Sequence, residues 1–488
     1  MESEPPKIEE VVILDGRNAE SRQNKSIKLL EAFSLTFGMI IGSGIFIGVG
    51  PTFDVFKSDS IGMVVVFWII GGIVAMIGGL CYAELGSRIP ESGGERAYFL
   101  VAFNKKFSIS YVFLYIFIVK SITLAALAVT TGSYMSGIFF QDPSTFDLFT
   151  KIFAAITLFL CFLINCWSKK VANKASVIFT LLKMFALILV ISIGIYSMAT
   201  NKLPEWQTSF DVEGFDVVKF TLCLINLFWS YEGWNILGMV AGDMKNPVRD
   251  LPLAMFLGIS FVMLFYVMAA VSYSATLGYG AVRVSETVAL TLAVKVLKQA
   301  YFIIPILICC STFGGTNGTF YASGSVIASA GFSGDLPLVF SMVHKTSRTP
   351  IIALIVELAL SLIFISFKFQ VLLNYAAFIS WVIYLVSFCA LLKLKLTSKN
   401  QPNLKIFRIP IIFIFPMILV CIFTVVMCFY LKPIGCGVFT AIIVVIFGFQ
   451  FIPDDFTSIG IFIELHQKLI RTLIAKCNLV PAISNDVS

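Results

Sequence analysis

Histidine and charge are what this chain has least of. Its two histidines, His344 and His466, stand too far apart to share a metal ion. Charged residues make up 13% of the chain, against roughly 25% in ordinary soluble domains, so no separate soluble domain is left over. No nucleophile–base pair, metal-ligand set or phosphate-binding loop stands out, which argues against an enzyme, a metal centre and a bound cofactor. The 11 cysteines fall mostly inside apolar runs (Cys81, Cys161, Cys166, Cys223, Cys309, Cys310, Cys389, Cys421, Cys428). They show neither metal-ligand spacing nor a paired extracellular pattern, and read as small packing residues. The net charge of +7 is better explained by sorting of basic residues across a membrane than by nucleic acid. No apolar core precedes Leu29, so a cleavable signal peptide is not expected, and the first apolar span is expected to target the chain with its N-terminus in the cytosol.

What is present is apolar sequence: 58% hydrophobic residues and a mean hydropathy of +0.93. Runs long enough to cross a hydrocarbon core of about 30 Å recur along the chain. The reading is an all-α membrane protein of twelve spans, over about 30–54, 60–84, 107–135, 149–167, 174–198, 217–241, 252–276, 299–330, 350–368, 371–396, 410–430 and 434–452. The expected division is a tail over 1–28, a transporter domain over 29–452 and a second tail over 453–488. An even span number puts both ends on one side. Inner connectors would then hold Arg88, Arg96, Lys105, Lys106, Lys169, Lys170, Lys174, Lys245, Arg249, Lys345, Arg348 and more after span 10. Outer connectors hold fewer, among them Lys57, Lys151, Lys202, Lys219, Arg283 and Lys368, so both termini are expected to be cytoplasmic. Residues 459–473 alternate apolar and charged positions, as suits either a helix on the membrane surface or a short tail helix packed on the protein.

Two spans carry faults. In span 1, Gly42-Ser43-Gly44 interrupts the apolar run about halfway, where an unsatisfied N–H facing hydrocarbon would cost several kcal/mol. The freed N–H groups of Ser43, Gly44 and Ile45 read as an anion cradle, or the small residues read as a helix-packing notch. In span 6, Trp229-Ser230-Tyr231-Glu232-Gly233-Trp234-Asn235 sets an acid, a glycine and an amide in mid-span. Interrupted helices five spans apart point to a 5+5 inverted repeat, the leucine-transporter-like arrangement of secondary transporters, with spans 11 and 12 outside it.

The chain resembles the amino acid–polyamine–organocation superfamily and, within it, the L-type amino acid transporter light chains. The residues that carry the likeness run in order. They are Ile41-Gly42-Ser43-Gly44-Ile45-Phe46; Tyr82-Ala83-Glu84-Leu85-Gly86 with Ile89-Pro90-Glu91-Ser92-Gly93-Gly94-Glu95; Tyr231, Gly233, Trp234 and Asn235; Met244-Lys245-Asn246-Pro247; and Ser311-Thr312-Phe313-Gly314 with Asn317-Gly318. The resemblance implies sodium-independent exchange of amino acids by alternating access, at the plasma membrane. A substrate carboxylate would meet the cradle at Gly42, Ser43, Gly44 and Ile45, helped by the positive end of the outer half-helix. The ammonium would meet carbonyls near Ile40, Trp229 and Ser230. By resemblance Trp229 is an aromatic gate, and Asn235 ties the unwound part of span 6 together.

Glu232 resembles the acid of cystine and dibasic-amino-acid exchangers, so arginine and lysine are expected along with neutral substrates; pairing with an internal Lys, or protonation, is the alternative. Lys183 stands near the place where sodium-coupled relatives hold sodium, and its ammonium would bridge spans 1 and 5 instead. Lys120 in span 3 carries an internal charge, or snorkels to an interface. Two features depart from the family. The outer loop over 136–150 has no Cys, which excludes a heavy chain disulfide-linked there and leaves non-covalent pairing open. The segment Tyr321-Ala322-Ser323-Gly324-Ser325-Val326 lacks the Arg that relatives carry. A membrane amino acid sensor and a proton-coupled uniporter are the competing readings on the same fold.

Overall fold

The structure, a computed structural model, describes residues 27–91, 93–140, 142–200, 210–397, 406–448 and 479–481. The tail over 1–26 and the helix expected over 459–473 lie outside the described residues. Helices dominate: α1 (Leu29–Ile40), α2 (Gly44–Ile47), α3 (Ile61–Arg88), α4 (Glu95–Ala102), α5 (Lys105–Phe139) and α6 (Pro143–Trp167). They are followed by α7 (Lys169–Thr200), α8 (Val217–Ser230), α9 (Ile236–Met239), α10 (Pro247–Leu277), α11 (Tyr279–Val284) and α12 (Val288–Leu297). The last are α13 (Ile303–Phe332), α14 (Ile351–Phe364), α15 (Phe369–Thr397), α16 (Ile414–Leu431) and α17 (Pro433–Gly448). Among the described residues nine helical stretches are long and apolar enough to cross a membrane, and α8, α14 and α17 are shorter apolar helices.

Local sequence explains where these helices begin. Asn104 accepts the N–H of Phe107 (2.8 Å) at the start of α5, and Asp216 accepts those of Val218 and Lys219 (2.8 and 3.2 Å) at the start of α8. At α6 the Asp142 carboxylate accepts the Ser144 hydroxyl (2.6 Å) and the Thr145 N–H (3.1 Å), with Pro143 in the first helical position. These bonds satisfy donors that a helix start leaves open. They also hold the Asp142 carboxyl below its usual range, Ser144 contributing most.

Burial sorts the helices into a centre and a rim. The apolar window of α5 is 72% buried, whereas those of α6 and of the stretch Ile411–Leu431 are 28% buried. So α5 runs through the middle, and α6 and α16 present most of their apolar surface outward, as lipid requires. Helix α10 lies along α3, α1 and α7, and α13 lies along α7 and α5.

One face gathers the connectors. Ile27 pairs with Met244, and strand β1 (Met342–His344) pairs antiparallel with β2 (Leu479–Pro481), Val343 opposite Val480. On the same face Arg96 pairs with Asp335, and the Gly93 N–H donates to the Met239 carbonyl (2.9 Å). The described residues nearest the two termini, Ile27 and Leu479–Pro481, therefore lie on the face that carries the connectors after α3, α9 and α13.

A buried ionic cluster locks part of that face. Glu84 of α3 is fully buried and its Oε1 receives Arg88 (Nη2 2.7 Å). Its Oε2 receives Lys395 of α15 (2.7 Å) and the Ile409 N–H (2.8 Å). Removing the carboxylate strands two cations, at a cost of about 3–5 kcal/mol. Glu84→Ala should therefore melt well below the parent in detergent, whereas Lys151→Ala, which removes a pair with Asp147 at 40–51% exposure, should change stability by less than about 1 kcal/mol. Fluorescence-detected size-exclusion melting reads both, and equal melting of the two variants would refute the lock.

Candidate functional site

The first break is a change of backbone direction. Helix α1 ends at Ile40, Ile41 is extended (φ −70°, ψ 92°), and helix resumes at Gly44. The one-turn α2 is followed by a 3-10 turn, Gly50–Phe53. Among the described residues the N–H groups of Ser43, Gly44 and Ile45 make no backbone hydrogen bond, as expected for the start of a helix. The outer half-helix is a single turn, so the expected help from its dipole is slight. A macrodipole needs aligned peptides over several turns, and the cradle rests on the N–H groups themselves.

The second break faces the first. Helix α8 ends at Ser230, Gly233 takes φ +119°, and helix resumes at Ile236. A Cβ on Gly44 would lie 2.3 Å from Ser230 Oγ and 2.5 Å from Ser230 Cα. A Cβ on Gly233 would lie 3.2 Å from the carbonyl carbon of Met39, in a backbone conformation that side chains resist. Each glycine thus admits the backbone of the other break. Tyr266 of α10, fully buried, joins the two: its hydroxyl lies 2.9 Å from the Ile40 carbonyl and 3.0 Å from the Ser230 carbonyl. One hydroxyl has one proton, so at any moment one of these two carbonyls keeps free capacity for another donor. The Trp229 carbonyl, by contrast, accepts the Glu232 N–H (3.2 Å) inside the turn.

The remaining expected residues surround this crossing. Trp229 Nε1 donates to Ser43 Oγ (3.1 Å), and its ring meets Phe369 edge-on at 6.4 Å. Asn235 donates to Glu95 Oε1 (3.0 Å). That carboxylate is fully buried and also takes the hydroxyls of Tyr82 (3.1 Å) and Tyr111 (3.0 Å). Glu232 accepts the Tyr384 hydroxyl from α15, and Lys183 of α7 donates to the Gly38 carbonyl in the last turn of α1. Lys120 ends a π-helical turn, Tyr115–Lys120, with its ammonium 4.7 Å above the Tyr115 ring. Among the described residues it makes no hydrogen bond or ion pair with the crossing, although its charge acts on Glu232 and Glu95.

Tyr266, Tyr384 and Glu95 were not anticipated as site residues. Glu95 had a signal, an acid closing the Gly93-Gly94 motif; the two tyrosines look like any aromatic in an apolar helix. A cavity of about 470 Å³ is lined by Ile47 and Gly50 beyond the first break, by Lys219 and Arg283, and by Phe369 and Gln370.

Comparison with known proteins finds a matching family. The sequence profile described as amino acid permease matches residues 27–456. The large neutral amino acids transporter small subunit 2 of Oryctolagus cuniculus is 31% identical over 424 residues, covering 86% of this chain and 78% of that one. The b(0,+)-type amino acid transporter 1 of Mus musculus is 29% identical over 402 residues, 82% of each chain. The b(0,+)-type protein of Homo sapiens is 28% identical over 410 residues, 84% of this chain and 83% of that one.

The crossing makes a steric prediction. Gly44→Ala has no room beside Ser230 and should reduce uptake to background, because overpacking there shifts backbone as well as side chains. Gly437→Ala, with nothing within 4 Å of the added carbon, should transport normally. Radiolabelled uptake normalised to protein in the membrane reads the difference, and a normally active Gly44→Ala protein would contradict the close crossing.

Proposed function

The chain belongs to the amino acid permease family, and from that premise we propose that it is a sodium-independent amino acid exchanger working by alternating access. The crossing of the two breaks carries this reading. An amino acid offers a carboxylate and an ammonium, and the crossing offers N–H groups at Ser43, Gly44 and Ile45 beside carbonyls at Ile40 and Ser230. The family transports amino acids rather than transforming them, so the site needs recognition and access, not a nucleophile.

Twelve spans in a 5+5 repeat fit the packing. The three shorter apolar helices, added to the nine long ones, complete the count; α8 with α9 forms the broken sixth span. Contacts repeat under a shift of five spans. Helix α1 meets α10 as α8 meets α3, and α13 meets α7 as α5 meets α15. Basic connectors on the face that carries Ile27 and Leu479–Pro481 support cytoplasmic termini and a single transporter domain over 29–452. The resemblance to L-type amino acid transporter light chains supports the plasma membrane as its place.

Three side chains tune the reading. Trp229, tied to Ser43, is the gate over the bound side chain. Glu232, turned to Tyr384, is the acid that admits arginine and lysine. Lys183 joins α7 to the last turn of α1, and its fixed charge replaces a sodium ion there. The name "small subunit" in the rabbit relative supports a larger partner. With no Cys over 136–150 and Cys436 buried against the Cys428 carbonyl (3.3 Å), that partner binds without a disulfide from the loop.

In proteoliposomes, preloaded leucine should accelerate leucine entry severalfold, and replacing sodium by choline should change nothing. A protein that binds leucine without accelerated flux would be a sensor instead. Glu232→Gly should lower arginine uptake by about tenfold, equivalent to about 1.4 kcal/mol of lost attraction, with leucine uptake held within about twofold. Equal losses of both would remove Glu232 from substrate selection.

A further inference from the structure

Glu357 of α14 is a fully buried acid that the exchange mechanism above does not use. Among the described residues Oε1 has no partner, while Oε2 lies 2.6 Å from Ser323 Oγ on α13. Ser323 Oγ also lies 2.6 Å from the Thr319 carbonyl one turn back. A hydroxyl has one proton and a carbonyl has none. If Ser323 gives its proton to Thr319, as a serine in a helix commonly does, the short contact to Glu357 is a hydrogen bond only when the carboxyl carries the proton itself. An ionised carboxylate here would instead leave one oxygen bare in an apolar interior, where an unpaired charge is very costly.

Among the described residues the surroundings supply no ion pair. Helix α14 packs on α5, α6, α13 and β1. From α5 come Lys120 and Tyr115, and Lys120 is the charged group among the described residues that acts on Glu357. It makes no ion pair with Glu357; its ammonium sits over the Tyr115 ring. From α6 come Cys161, whose thiol points to the Phe313 carbonyl, and Asn165, bonded to the Cys161 carbonyl (2.8 Å). Strand β1 brings His344, whose Nδ1 contacts Ser347. The site lies six residues, or about 9 Å, into α14 from the face that carries β1.

We propose that Glu357, with Ser323 and with Lys120 as the cation whose charge reaches it, is a proton-binding site of the transporter, loaded in the packing seen here. Losing the proton leaves a carboxylate that attracts Lys120 away from Tyr115, so protonation biases how spans 3, 8 and 9 pack. The inference deepens the exchanger reading and rests on it for its functional consequence: amino acid exchange depends on pH at the face that carries β1.

The test reconstitutes the full chain and measures leucine exchange while the pH on each side is varied. The parent should change severalfold with pH on one side, and Glu357→Gln, a neutral mimic of the loaded state, should retain exchange and lose that dependence. An unchanged pH profile in Glu357→Gln overturns the proposal, as does a flux that needs sodium and loses that need in the variant. Infrared spectroscopy of the membrane protein reads the site without transport. The C=O band of a buried protonated carboxyl should shift in Ser323→Ala and vanish in Glu357→Gln, and a band unaffected by Ser323→Ala would contradict the assignment. A band that behaves as expected in a protein that moves no leucine would leave the proton site standing and sink the exchanger reading.

Discussion

A backbone cannot come out of helix inside a bilayer without finding new partners for its polar groups, and this protein breaks two helices there. The breaks supply each other's surroundings. Gly44 lies against Ser230 and Gly233 against Met39, so the two unwound segments exclude lipid together. Tyr266 holds the Ile40 and Ser230 carbonyls to one hydroxyl. What remains open at the crossing is a short row of N–H groups on one side and partial carbonyl capacity on the other. On the proposed exchanger reading those are the two halves of amino acid recognition, provided by main chain rather than by charged side chains.

Charge is placed where it holds helices rather than where it would bind a zwitterion too tightly. Lys183 pins the end of α1 to α7. Glu95 gathers Tyr82, Tyr111 and Asn235, so the second break is fixed to the connector before α5. Glu84 does the same for α3, α15 and the approach to α16. Each acid is buried and paired or hydrogen-bonded, which is the condition for keeping a charge inside a membrane protein. The crossing between these anchored helices keeps neutral polar groups and the part-buried Glu232.

Much of this was legible in the sequence, for identifiable reasons. Gly, Ser and Glu in the middle of apolar runs are costly in lipid, so the breaks at Gly42–Gly44 and Glu232–Gly233 announced themselves, as did Lys183. The short apolar helices α8, α14 and α17 were legible by their spacing and composition, although each has fewer than 18 residues. Tyr266 and Tyr384 were not, because a tyrosine in an apolar helix carries no mark of where its hydroxyl ends. The weakness of the outer half-helix also lay beyond the sequence, since an apolar run does not reveal that only one turn of it is regular. Glu357 was a different case. A lone acid in span 9 is as costly as one in span 6, and only its lack of a neighbouring motif kept it out of view.

The central claim is that the crossing reads the carboxylate and ammonium common to all amino acids. The most direct measurement is a cryo-electron microscopy structure of the protein with bound leucine. The account predicts the leucine carboxylate within hydrogen-bonding distance of the N–H groups of Ser43, Gly44 and Ile45, and the ammonium at the Ile40 and Ser230 carbonyls. Leucine bound elsewhere, with Gly44 packed against Ser230 and those N–H groups facing only protein, would contradict it and return the first break to a packing notch.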